Sequence, residues 1–153
     1  MTLAPTDSIY VYTNYVFELL DGRKAELGVQ DVWFGDDAST KLPRTPAITV
    51  EGAPKSREYN GAPRRSMNTM DMYVMVYHDK IADVQENARN AMRRAEAVEA
   101  VLHEDAQLGG LVIDSMVISN EPGTADRGGS LMSASRLTFR ARSQTLLPYS
   151  ATM

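Results

Sequence analysis

Residues 68–119, NTMDMYVMVYHDKIADVQENARNAMRRAEAVEAVLHEDAQLGGLVIDSMVIS, decide how the chain reads. Their hydrophobic period changes twice. Over 69–78, Met70, Met72, Val74 and Val76 alternate with Asp71, Tyr73, Met75 and Tyr77. A period of two, rich in β-branched and aromatic residues, predicts a strand. Both of its faces are fairly apolar, which predicts a central strand covered on at least part of each face. From Asp79 the period lengthens. Ile81, Val84, Ala88, Ala91, Ala95, Val98 and Leu102 recur at three- and four-residue steps and form one stripe of a helix. Glu86, Arg89, Asn90, Arg93, Arg94 and Glu96 fall on the opposite side. Asp79 stands near the start, where a carboxylate meets free amides and the positive end of the dipole. Gly109-Gly110 is expected to stop the helix through a left-handed turn. Residues 111–119 then resume as a strand, with Leu111, Ile113 and Val117 on one face and Val112, Met116 and Ile118 on the other. The heptad spacing also admits a coiled coil. Alanine at three of the seven stripe positions favours close packing onto the chain's own sheet.

Composition bounds the classes. The 153 residues suit one domain (1–153) with a real core, and 43% hydrophobic and 24% charged residues are ordinary for a soluble globular protein. There is no cysteine, which removes disulfides, thiolate metal sites and cysteine nucleophiles, and fits a reducing compartment. No apolar run approaches the roughly 20 residues of a membrane span, and residues 1–7 lack a signal-peptide pattern. A net charge of −4 argues against a dedicated duplex-DNA binder, which shows a basic excess.

The rest of the chain is placed around the central unit. Residues 1–6 read as a mobile lead. Asp7 or Ser8 can cap a helix running to about Asp21, with Ile9, Tyr12, Tyr15 or Val16, and Leu19 or Leu20 as its apolar stripe and Gly22 at its end. Tyr10, Tyr12 and Tyr15 read as packing residues with wet hydroxyls. Residues 23–28 connect to a strand at 29–35, where Val32 and Phe34 face opposite to Trp33. A turn at 36–39 and a proline-flanked lead, 42–46, precede a short strand at 47–51. Residues 52–67, GAPKSREYNGAPRRSM, carry two glycines, two prolines and four basic residues. This is longer than an ordinary connection, and long loops tend to be functional or disordered. Its expected form is a hairpin arm between the strands at 47–51 and 69–78, and a solvated loop without a partner is the alternative. Lys55, Arg57, Tyr59, Arg64 and Arg65 are its candidate interaction residues. Residues 121–130, EPGTADRGGS, read as a turn-rich connection. A last strand at 131–142 puts Leu131, Leu137 and Phe139 on one face and Met132, Arg136, Thr138, Arg140 and Arg142 on an exposed or interfacial one. Residues 146–153 form a tail that could dock on a neighbour. The element order is α-β-β-β-α-β-β, an α+β domain.

Catalytic signals are weak. His78 ends a strand and His103 ends the long helix, where a positive charge is favoured, and neither lies in a spaced metal motif. The acid pairs Asp36-Asp37 and Glu104-Asp105 read as solvated. No serine sits in a nucleophile elbow. Gly109-Gly110 and Gly128-Gly129 lack phosphate-loop spacing, and Arg127-Gly128-Gly129 is one isolated triplet. No metal or cofactor is expected.

Taken together, the ordered segments DVWFGDD (31–37), LPRTPAITVEG (42–52), KSREYNGAPRRSMNTMDMYVMVYHDKIADVQ (55–85), VEAVLHEDAQLGGLVIDSMV (98–117) and RGGSLMSASRLTF (127–139) resemble tail terminator, or tail-completion, proteins of long-tailed actinobacterial phages. The likeness covers about residues 8–147. It implies a small α+β domain with a mostly antiparallel sheet flanked by two helices. It also implies a homohexameric ring at the head-proximal end of the tail tube, assembled in the host cytoplasm, that ends tube polymerisation and joins the head connector. The implied partners are further copies of the chain, the major tail tube protein and a head-closure or connector protein. Genomic DNA would pass through the channel without specific binding, and no membrane or catalytic residue is involved. The alternatives are another neck component, a nucleic-acid-binding module using the basic arm and tyrosines, and, least favoured, an enzyme using scattered carboxylates.

Overall fold

A computed structural model gives the fold and describes residues 8–36, 44–59, 65–80, 83–127 and 129–146. Arg64 and the tip of the expected arm, Ile81, most of the 36–39 turn, the 1–6 lead and the tail past residue 146 lie outside the described residues. The chain is an α+β domain with three helices: α1 (Ile9–Asp21), α2 (Lys24–Leu27) and α3 (Val84–Leu102). Five strands, β1 (Asp31–Phe34), β2 (Ala47–Tyr59), β3 (Arg65–Lys80), β4 (Asp114–Arg127) and β5 (Ser130–Leu146), form one sheet in the order β1-β2-β3-β5-β4. β1 pairs with β2 in parallel, and the other neighbours are antiparallel.

β3 is the central strand. Met70, Met72, Val74 and Val76 are buried on one face, as the alternation requires. Tyr12, Val16 and Leu20 of α1 and Ala95, Val98 and Leu102 of α3 pack into the same core cluster. Both long helices therefore stand on one face of the sheet. Each fully buried aliphatic or aromatic side chain contributes about 1.5–3 kcal/mol. The Tyr12 phenol, buried with them, keeps its hydroxyl satisfied by donating to the Leu111 carbonyl at 3.3 Å. On the opposite face Asp71, Tyr73 and Met75 are half-buried, and only the end near Tyr77 closes into a second small cluster with Ala47, Met132 and Ala134.

Several boundaries differ from those read in the sequence, each for a local reason. α1 is not among them: Ser8, one of its two candidate caps, accepts the Val11 amide at 3.2 Å, and the helix ends at Asp21 before Gly22. The connector at 23–28 contains α2, closed by Gly28 in the left-handed region. β3 runs through Asp79 to Lys80, and the α3 cap is Asp83, whose carboxylate accepts the Glu86 amide at 3.1 Å. α3 ends at Leu102, before Gly109-Gly110. There the Asp105 carboxylate accepts the Gln107 and Gly109 amides, and the two glycines take positive φ in a separate turn. Pairing with β5 starts β4 at Asp114, after residues 111–113, and carries it through the expected connection at 121–127. Proline and glycine are tolerated there because β4 is an edge. The α3 stripe is buried from Ala91 onward, whereas Val84 is exposed. Arg94, expected on the solvent side, turns inward: its Nε donates to the Leu27 carbonyl at 3.2 Å, and a terminal nitrogen contacts His78 Nδ1. His103 Nε2 accepts the Val117 amide at 2.9 Å.

Gly52 sits where α1 crosses β2. A Cβ there would lie 2.8 Å from Ile9 Cγ2 and 3.2 Å from Thr13 Oγ1. Gly52→Ala is expected to lower stability by about 1–3 kcal/mol through overpacking. A urea midpoint equal to that of the parent would show that α1 yields freely.

Candidate interaction surfaces

The basic segment is strand for most of its length. β2 and β3 stay paired from Lys55↔Met70 to Tyr59↔Ser66, and β5 follows β3 out to Arg65↔Leu146. The expected hairpin arm is thus three strands wide, with β3 in its middle. Width matters, since an isolated two-stranded hairpin is marginal in water. At its root Asn68 is fully buried and donates to Ser143 Oγ at 3.2 Å across the β3–β5 pair. The register places Lys55 and Arg57 opposite Met70 and Asn68, hence on the helix-bearing face. Arg57 is exposed and Lys55 half-buried. Tyr59 and Arg65 occupy strand positions opposite Ser66 and Leu146. The structure therefore brings Lys55 and Arg57 together on one face and seats Tyr59 and Arg65 at the far end of the same ladder.

The other face of the sheet carries alternating charge. Arg136, Arg140 and Arg142 recur every second or fourth residue along β5, and each meets an acid of a neighbouring strand. Arg140 forms a two-pronged pair with Asp71 at 2.8 and 3.0 Å. Arg142 does the same with Asp114 and holds that carboxyl below its ordinary range, mainly by hydrogen bonding. Arg136 reaches Glu121 at 3.3 Å and lies over the Tyr73 ring, 5.3 Å from its centroid. Exposed pairs of this kind contribute about 0–1 kcal/mol each. Their main effect is to neutralise the face residue by residue.

One end of that face is different. Arg127, only 2% exposed, is paired with Asp36 and donates to the Tyr77 hydroxyl at 3.0 Å. Its guanidinium carbon lies 4.9 Å from the Tyr77 ring centroid. Asp36 also accepts from the Tyr77 hydroxyl at 2.8 Å and from Thr49 Oγ1 at 3.0 Å. The cluster binds the end of β1 to β2, β3 and β4. The arginine of the RGG triplet is thus an internal strut. Burial, then the hydrogen bond to Asp36, pushes the Tyr77 phenol from its ordinary 10.0 up to about 12. The folded chain holds that proton more tightly than the unfolded chain. Its contribution to stability is therefore complete below pH 10 and is lost as pH rises through about 12. Tyr77→Phe is expected to remove a tyrosine that ionises near pH 12 in an ultraviolet titration. A parent protein whose tyrosines all ionise together near the ordinary value would contradict it.

No known family model matches the chain, and no curated protein is significantly similar to it. The surfaces must therefore be judged on their chemistry. Among the described residues no group of three or more histidine or carboxylate side chains is placed to hold a metal ion. No described helix is long and apolar enough to cross a membrane. A groove of about 240 Å³ opens between the first half of α3 and the β4–β5 hairpin, lined by Val84, Ala88, Met92, Pro122 and Ala134 among others.

Sequence reading missed the Asp36–Tyr77–Arg127 cluster because its members are 41 to 91 residues apart. It also missed the apolar side chains left outside at the two sheet edges. A signal for one edge was present in Pro122 of β4, since proline within a sheet is confined to edge strands and irregularities such as that at Pro54.

Proposed function

We propose that the chain is a structural subunit of a phage tail: a terminator that assembles into a homohexameric ring at the head-proximal end of the tail tube. In that role it ends tube polymerisation and offers the surface on which the head connector is joined, with no catalysis of its own. The observation that carries this reading is the ordered series of segments between residues 31 and 139 that resemble such proteins. The three-stranded arm supports it, since it continues past the point where Ile9 of α1 meets Gly52 and bears Lys55 and Arg57. The arm reaches the tube ring or the adjacent subunit, its basic residues pairing with carboxylates there. Six copies at −4 each carry −24, a charge that repels DNA passing through the channel.

Two measurements test the reading. Labelled chain should be found by electron microscopy of virions as a six-fold ring at the junction of tail and head. Its location anywhere else would end the proposal. The Arg64→Glu/Arg65→Glu chain should leave tails that fail to join heads or that vary in length, whereas normal virions from that chain would remove the arm from the assembly contact.

A further inference from the structure

The sheet has two unlike ends. At one, β1 is a four-residue edge strand. Beside it lie Tyr10, 65% exposed, Phe34, 48%, and Trp33, 38%. Tyr10 and Phe17 of α1 both meet Phe34 with ring centroids 5.9 Å apart, the first tilted and the second edge-on. At the other end β4 is the edge, and the exposed side chains are aliphatic: Ile113, 48%, Met116, 56%, and Ile118, 40%. The irregularity between Val117 and Ser119 leaves Ile118 without a partner on β5. Aromatic residues and methionine are enriched where proteins meet, and apolar side chains gathered at an edge mark such places.

Proline divides these edges. β1 covers β2 only from Ala47 to Val50, so the outer side of β2 runs free beyond it, and Pro54 interrupts that length at the irregularity between Gly52 and Lys55. Pro122 interrupts β4. Proline on an outer strand blocks pairing with another chain. The parts clear of proline are β1 itself and residues 114–121, and these carry the exposed Trp33, Phe34, Met116 and Ile118. Strand direction matches too. β1, β2 and β5 run one way and β3 and β4 the other. When a second copy continues the sheet in the same sense, its β1 meets β4 of the first as an antiparallel neighbour, the more stable pairing.

We propose that copies of this chain associate head to tail, the β1 edge with Phe34, Trp33 and Tyr10 of one seated against residues 113–118 on the β4 edge of the next. The occupant of each edge is a second copy. Such a contact uses two different patches, so repeated copies form a closed ring or an open filament. The choice of the closed ring rests on the function proposed above.

The chain has no cysteine, so engineered thiols report contacts without background. A chain carrying Trp33→Cys and another carrying Met116→Cys, mixed and mildly oxidised, should give a cross-linked heterodimer as the dominant product, with neither chain cross-linking alone. Phe34→Cys with Ile118→Cys is the second pair, in case the first disturbs folding. The double-cysteine chain should give a ladder of oligomers, and Ile118→Asp added to the first pair should abolish the heterodimer. Homodimers from a single-cysteine chain would overturn the proposal in favour of a two-fold contact. Failure of both pairs to cross-link, or a parent chain monomeric at every concentration, would also overturn it. A six-fold ring without these cross-links keeps the ring and discards this contact. A ladder without an end point keeps the contact and discards the closed ring.

Discussion

Arg127→Met is expected to destabilise the fold by about 3–5 kcal/mol, because it leaves the Asp36 carboxylate without the guanidinium it is buried against. Arg142→Met also removes an ion pair, yet Arg142 and Asp114 are each about half exposed and the loss should be slight beside that at Arg127. The two variants lose the same charge and gain the same side chain, so the difference reports the burial of Arg127 together with its contacts to Tyr77. Urea unfolding of both, against the parent, measures it. Equal shifts would mean that water reaches Asp36 and that the cluster is not internal. The Arg127→Met/Asp36→Asn double variant should recover part of the loss, since the stranded charge is then gone.

Phe139→Ala should also cost about 3–5 kcal/mol. Phe139 is fully buried, paired with Met72 on one side and Val117 on the other, under the helices that meet over the sheet. The surrounding strands are held by ladders on both sides, which limits how far the site can collapse around the missing ring. Leu131→Ala changes the same strand on the same parity, but Leu131 is exposed and the change should stay within about 0.5 kcal/mol. A mild effect at Phe139 would place the helices more loosely over β5 than their packing indicates.

Those contrasts bear on what the sequence could tell. The alternation of Met70, Met72, Val74 and Val76 locates the central strand because that face is buried from Asn68 to His78. The shared face of Leu137, Phe139 and Ala141 follows for the same reason, whereas Leu131 on that parity is exposed, and Met132 and Thr138, expected on the exposed or interfacial face, are buried. Strand ends were less legible. β2 and β3 extend through a stretch rich in glycine, proline and charge because each finds a partner, and local composition does not report partners. The same holds for β4, which runs through Glu121, Pro122 and Gly123 alongside β5. Arg94 reads as a solvent-side cation since its acceptor, the Leu27 carbonyl, is distant in sequence, and the Asp36 partner of Arg127 is as far out of local view. Of the arm's candidate residues, the clustering of basic charge was visible from composition, whereas the shared face of Lys55 and Arg57 needed the register.

β5 has one more consequence, in the order of synthesis. It follows the other four strands along the chain, yet it sits between β3 and β4. Until it emerges, β3 has a neighbour on one side and β4 has none. The β3–β5 ladder joins residues as far apart as Arg65 and Leu146, and such distant pairing slows folding. On a ribosome adding about 5–20 residues per second, the nascent chain therefore spends the interval before β5 emerges with one side of β3 and the whole of β4 open to other chains. The middle of this sheet is the last part to be made, and a cell producing many copies at once must shield that gap until it closes.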